Sequence, residues 1–247
     1  MVQADDLTER VRAAHADAWE LEGRARQPFG GGVARIPGAR LMASGIAQAK
    51  WNNADISDAS VDVTAIRRWY ESRGVPWGMR VPLEITLDFG EPLFVKRCVV
   101  LLPGALPSTP RMSVSARREP DPAAYAALEA AAFVYDESEA RAWVQPQFAH
   151  AAFGHWVATI AGTPAAIGTT IRTDGDAGRA SYLTGLALLP DAPVDALQTL
   201  VDVAVGDAFG SGAAFVHTNP VTAEEDEILG SHNPIEVPGF LIRVSDI

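Results

Sequence analysis

Leu7, Val11, Ala14, Ala18 and Leu21 recur three and four residues apart, a spacing that predicts an amphipathic helix over residues 5–22. The run Gln27-Pro28-Phe29-Gly30-Gly31-Gly32 ends it. No strand precedes these glycines, so they read as a linker rather than a phosphate loop. Apolar and polar positions then alternate around Arg40–Ala49 and Trp51–Ile56, the pattern of extended chain. Helical spacing returns over Asp62–Arg73, with Val63, Ile66, Trp69 and Tyr70 on one side and a stop at Gly74 and Pro76. Strands are expected at Met79–Leu87 and Val95–Leu102.

The stretch Pro103-Gly104-Ala105-Leu106-Pro107-Ser108-Thr109-Pro110 is dense in proline and uncharged, which marks a linker. It divides the chain into residues 1–103, a linker at 104–110, and residues 111–247. Beyond it the pattern predicts a strand at Arg111–Ala116, a helix opened by Asp121-Pro122 and another at Glu137–Phe148. Strands follow at His155–Ala161, Ala165–Arg172 and Arg179–Leu189, the last interrupted by Gly185 as a bulge would interrupt it. A helix over Val194–Phe209 turns Leu197, Val201, Ala204, Val205 and Ala208 inward, with Asp195, Gln198, Asp202 and Gly206 outward. A short strand at Ala213–Thr218, an acidic helix at Thr222–Leu229 and a strand at Val237–Val244 complete an α/β or α+β order.

Among the 247 residues, 48% are hydrophobic and 21% charged, ordinary values for a globular protein. The formal charge of −11 is uneven: residues 1–118 hold 16 basic and 13 acidic side chains, residues 119–247 hold 4 and 18. An acidic half repels nucleic-acid phosphates and anionic membrane surfaces, so neither is an expected partner. The start of the chain lacks the basic and apolar regions of a signal peptide, and no apolar run nears the roughly 18 residues of a membrane span. A cytoplasmic protein is expected. Cys98, inside Val95–Leu102, reads as a buried inert thiol. His150 and His155 lack zinc-motif spacing, and the acidic clusters lack calcium-loop spacing, so no metal is expected. No glycine-flanked nucleophilic serine points to a hydrolase.

Between Ala180 and Ile242 the chain has no lysine or arginine but nine carboxylates. Strand, turn and helix in this segment are the arrangement that offers free N–H groups and a positive dipole end to an anion. The turn itself, Pro190-Asp191-Ala192-Pro193, sets a carboxylate there and contains no glycine.

The element order, with several local strings, resembles the GNAT superfamily of acyltransferases, in particular two-part members with a degenerate first half and a fuller second half. In the first half the strings are Ser44-Gly45-Ile46, Trp51-Asn52-Asn53 and Trp69 to Trp77. In the second half they are Ala165 to Thr170, Tyr182 to Pro190, and Leu229-Gly230. The resemblance implies a mixed sheet flanked by helices, with an acyl thioester lying where two parallel strands splay at a bulge. It implies that the pantetheine amides pair with the backbone of Leu186, Ala187 and Leu188, and that Val194 opens the helix facing the donor. An amine then attacks the thioester, a base takes its proton and backbone N–H groups stabilise the oxyanion. Two parts of the family pattern are replaced. Asp191-Ala192-Pro193 stands where the family has an Arg/Gln-rich, glycine-containing loop around the diphosphate. Asp226 stands where it commonly has a tyrosine acid, three positions before Leu229-Gly230-Ser231.

The expected function is transfer of an acyl group from a pantetheine thioester, on CoA or on an acyl-carrier protein, to an amine. The alternative is a pseudo-acyltransferase that binds a small molecule or a protein. A small-molecule amine acceptor and a carrier protein are the implied partners, and a homodimer is compatible with both readings. Tyr182, His217 and Asn219 are the candidate catalytic residues. His217 is the natural base near neutral pH, weighed against a surface histidine beside an Asn-Pro turn. Tyr182 and Thr184 share a strand face; the plainer role for Tyr182 is packing. Arg67, Arg68 and Arg73, or Arg111, Arg117 and Arg118, offer an anion-binding patch. Trp51, Asn52, Trp69 and Trp77 are expected to pack between the halves.

Overall fold

The computed structural model describes residues 4–104 and 114–244. In chain order the elements are α1 (Ala4–Ala25), β1 (Gly32–Ile36), β2 (Ala39–Ala43), β3 (Asn53–Ile56), α2 (Val63–Glu71), β4 (Gly78–Pro82), β5 (Glu91–Leu101) and β6 (Val114–Arg118). Then come α3 (Pro122–Phe133), α4 (Glu137–Phe148), β7 (Phe153–Ile160), β8 (Thr163–Gly175), β9 (Gly178–Leu188), α5 (Val194–Gly210), β10 (Val216–Thr218), α6 (Ala223–Gly230) and β11 (Ile235–Val244). Most of the expected linker, and Arg111, lie outside the described residues. The chain packs into two compact units, each assembled from separated segments. One takes the chain up to His15 together with Val99–Glu236; the other takes Ala16–Cys98 and the chain from Val237 onward.

The first unit is a mixed sheet in the order β5-β10-β9-β8-β7-β6. Strands β6 to β9 are antiparallel neighbours, β10 runs parallel to β9, and the end of β5 is antiparallel to β10. A parallel neighbour requires a crossover, and α5 supplies it. Its stripe Leu197, Leu200, Val201, Ala204, Val205 and Ala208 is buried against Trp156, Ala158, Ala166, Leu183 and Val216. On the other face Tyr125, Ala126 and Val144 of α3 and α4 cover Val157 and Ile167. Asp121 and Asp136 cap these two helices, each accepting from a backbone N–H two residues on.

The second unit has the order β1-β2-β3-β4-β11-β5. It repeats the same plan: three antiparallel strands, a helix, then a strand parallel to the third, here β4 beside β3 over Asn53↔Gly78 to Asp55↔Arg80. Its core gathers Leu41, Ile66, Tyr70, Trp77 and Met79. The Tyr70 hydroxyl donates to the Met42 carbonyl, and burial pushes its ionisation well above the usual tyrosine range. The side chains of Asp55 and Arg80 alternate to the opposite face. There Arg80 is bidentate to Asp55 at 2.6 and 2.8 Å, with its guanidinium 4.1 Å over the Trp19 ring.

Two of the tryptophans expected to join the halves, Trp69 and Trp77, pack in this unit's own core. Trp77 stacks on Tyr70 and Phe89, and Trp69 meets Tyr70 edge-on. Asn52 is buried and ties loops together, accepting from the Ser44 N–H and donating to the carbonyls of Ile46, Gln48 and Pro76. The strand expected at Met79–Leu87 ends at Pro82, whose carbonyl accepts from the Ile85 N–H in a turn. Strand β1 was not expected; it is short and mostly half-buried, with no clear alternation.

Candidate functional site

Strand β9 changes partners along its length. Its parallel pairing with β10 consists of Ser181↔Val216, Tyr182↔His217 and Leu183↔Thr218, and stops there. Pairing with β8 continues on the other side to Leu188↔Ala166, with a register shift between Ile167 and Thr169. The shift sits opposite Gly185, whose φ of +60° is left-handed backbone. Its effect shows in the side chains. Before the bulge Leu183 packs into the α5 core, as the odd-numbered Ser181 would by alternation. After it Ala187 packs with Tyr125 and Ile167 on the α3 face, and Leu188 turns to α5. Residues 184–188 therefore form a bulged strand end beyond the last β10 pair, held by β8 on one edge and not paired with β10 on the other. The sheet forks at Leu183 and Thr218.

The expected catalytic residues assemble at the last rungs before this fork. The Tyr182 and His217 rings are stacked at 4.8 Å with planes 11° apart. His217 is 0% exposed, so it is not the surface histidine weighed from sequence. Asn219 follows the end of β10 and is half-buried. Thr184, one rung beyond the fork, pairs with Thr169, whose Oγ1 lies 3.0 Å from the Tyr125 hydroxyl. Burial, with Glu129 adding to it, pushes the Tyr125 hydroxyl well above the usual tyrosine range. A third imidazole completes the cluster: His15 of α1 packs edge-on to Tyr182 at 4.9 Å and to His217 at 5.9 Å. Sequence reasoning missed it. The available signal was its place on the buried stripe of α1, four residues after Val11 and three before Ala18.

The residues expected to face a donor divide by backbone and side chain. The Leu186 side chain packs inward beside Gly168 and Leu200, and Ala187 and Leu188 pack against the α3 and α5 clusters, so what these three residues present at the strand edge is main chain. Val194 opens α5, exposed, behind a Pro193 N-cap that makes no side-chain cap. Asp191 in the preceding turn adopts φ +63°, and Asp195 lies in the first helical turn. These two carboxylates oppose a diphosphate at this helix end. Three of the arginines considered for that task, Arg73, Arg117 and Arg118, have partners of their own. Arg117 pairs with Glu119, and Arg118 pairs with Asp207 while lying over Trp156. In the second unit Arg73 covers the Trp69 ring at 3.7 Å, and Arg67 and Arg68 are exposed on α2.

His155 is held by its neighbours. The His155 ring stacks on Phe148 at 3.9 Å, and its Nε2 lies 2.8 Å from Gln147 Oε1. Among the described residues no three His, Cys, Asp or Glu side chains are grouped to hold a metal ion, and no helix is long and apolar enough to cross a membrane.

The strand-helix-strand plan occurs twice in this chain, once with the bulge at Gly185, and solved structures share the arrangement. A GCN5-related N-acetyltransferase from Kribbella flavida is 16% identical, with a TM-score of 0.68 over 95% of this chain and 96% of that one. One from Sphaerobacter thermophilus is 11% identical, with a TM-score of 0.57 over 94% and 92%. A tandem GNAT protein from the clavulanic acid biosynthesis pathway is 10% identical, with a TM-score of 0.51 over 84% and 78%. No protein-family model and no curated protein matches the chain. At these identities the likeness establishes the fold: this chain has the GCN5-related N-acetyltransferase fold in a two-part arrangement.

Proposed function

We propose that the first unit transfers an acyl group from a pantetheine thioester to a small-molecule amine. The observation that carries this reading is the fork, where β10 ends its pairing at Thr218 while β9 runs on through the Gly185 bulge without a β10 partner. A pantetheine arm has amides that match an unpaired strand edge, so it lies along residues 185–188 as a short extra strand would. The acceptor nitrogen attacks the thioester carbon. The C–N bond forms, the C–S bond breaks, the thiolate leaves and takes a proton, and the nitrogen loses one. His217 lies one rung behind the fork and fully buried, so it receives that proton through water near Asn219 rather than by touching the amine. Tyr182 holds the imidazole plane by stacking. Asp191 and the lack of basic side chains between Ala180 and Ile242 make the arm, not the CoA nucleotide, the recognised part. An acyl group on a carrier protein is therefore as acceptable a donor as acyl-CoA.

Calorimetry with acetyl-pantetheine and acetyl-CoA tests this directly. The expected result is saturable binding of both within about tenfold of each other. Thiol release on adding a panel of amines should then be lost in His217→Gln with binding retained. Absence of binding by either thioester overturns the reading. A second reading is a binding or regulatory module on the same fork, favoured by the carboxylate-bearing turn at Asp191 and by the sealed Tyr182 and His217 pair. Thioester binding without turnover on any amine selects it.

A further inference from the structure

At the opposite end of β8 and β9 from the fork, a cavity of about 190 Å³ is bounded by Arg172, Asp174, Arg179, Ala208, Ser211 and Ala213. Register explains why these groups converge. Asp174 pairs with Arg179, and Arg172 with Ser181. By alternation all four side chains share the face that packs under α5, because Leu183, two residues beyond Ser181, belongs to the α5 core. The C-terminal end of α5 forms the facing wall, through Ala208 and the C-cap Ser211. Five residues separate Arg179 from Thr184, roughly 16 Å of strand, so this cavity is distinct from the fork.

Its charges are unusual for their surroundings. Residues 119–247 hold only four basic side chains, Arg141, Arg172, Arg179 and Arg243, against 18 acidic ones, and two of the four meet here. Nη2 of Arg172 donates to the Ala151 carbonyl at 2.9 Å, and Nε of Arg179 lies 3.4 Å from Asp174 Oδ2. The other guanidinium N–H groups of both residues have no acceptor among the described residues. Ser181, beside Arg172, is 0% exposed, and its hydroxyl has no partner among the described residues. Negative charge is present as well: Asp174 lies beside Arg179 on the sheet, and the facing wall is the negative pole of α5.

A bare anion would satisfy the arginines but face Asp174 and the helix pole. A bare amine would leave two guanidinium groups unanswered. We propose that this cavity binds a small zwitterion, a free α-amino acid. Arg172 and Arg179 take its carboxylate. Its ammonium group lies toward Asp174 and the end of α5. The volume of about 190 Å³ is room for a small amino acid.

The test is calorimetry on the full chain with L-alanine, against acetate, methylammonium and N-acetyl-L-alanine at matched ionic strength. L-Alanine should saturate, and each control should bind at least about tenfold more weakly. Arg179→Gln, at a side chain 66% exposed, should weaken L-alanine by a similar factor without lowering the melting midpoint. Arg172→Lys should weaken it as well, losing the two-pronged grip. No saturable heat with L-alanine up to about 10 mM, acetate binding as tightly as L-alanine, or wild-type binding by the Arg179 variant would each overturn the proposal. None of these outcomes depends on whether the fork takes a thioester.

Discussion

Glu225 shows how one side chain can serve the fold and tax it. The Thr222 hydroxyl accepts from the Glu225 N–H, while the Glu225 carboxylate accepts from the N–H groups of Val221 and Thr222, closing the N-terminus of α6. Burial nevertheless raises its proton affinity above the ordinary glutamate value of 4.5, and Asp226 and Glu224 add repulsion. The folded chain thus holds this proton more tightly than the unfolded chain. Its contribution to stability is fully present in acid, and is lost as pH rises from about 4.5 through the raised folded value. Glu225→Gln keeps an acceptor oxygen for the two N–H groups and removes the charge. Urea unfolding should give the variant a higher midpoint at pH 7 and an equal one near pH 3.5. A lower midpoint at pH 7 would mean that the carboxylate's attraction to the helix end outweighs its burial. Residues of this kind are only half legible in sequence. Thr222 and Glu225 stand at capping-box spacing, but nothing local says that the carboxylate is covered. His15 is similar: its place on a buried stripe is visible, whereas its partners Tyr182 and His217 lie far along the chain.

At the scale of elements, period is what the sequence carries well. The α5 stripe, the helix at Glu137–Phe148 and the three strands before α5 all follow from spacings of 3.6 and 2. Expectation and structure part where another rule overrides the period: Pro82, lacking an N–H, ends β4 early, and β1 is too short and too evenly half-buried to alternate. Gly185 is the position where the reading reached furthest, since a glycine inside a strand announced the bulge on which the fork depends. Its left-handed φ makes a prediction about stability that differs from one about packing. A Cβ added there would find Thr169 Oγ1 at 4.0 Å and nothing closer, so space is available. Gly185→Ala should still cost about 1–2 kcal/mol, because the backbone conformation itself is strained for an L side chain. Gly185→Asn should cost less, asparagine tolerating this region better. Urea titration of the three proteins checks the ranking. Equal midpoints for glycine and alanine would mean that the bulge relaxes to another conformation.

At the scale of the molecule, local pattern is blind to which strand closes which unit. Strand β10 finds its second neighbour in residues 99–101 of β5, and β4 finds its neighbour in β11 at the far end of the sequence. Each unit is therefore completed by a segment distant in sequence, as α1 also shows by contributing to both. Pairings of that kind leave no periodic signature, since periodicity reports which face of an element is buried and not what lies beside it. The consequence can be tested by cutting the chain at the proline-rich stretch. Residues 1–103 alone lack β11, and with it the partners of β4 from Pro82↔Phe240 to Gly78↔Val244. Buried Val237 and Phe240 go with it, each worth roughly 1.5–3 kcal/mol. Residues 111–247 alone lack the β5 end beside β10 and the α1 segment that brings His15 against Tyr182 and His217. Neither fragment should give a cooperative thermal transition by circular dichroism, whereas the two coexpressed should recover one near that of the intact chain. A fragment that melts cooperatively on its own at the intact protein's midpoint would show that these long-range strands decorate the units rather than complete them.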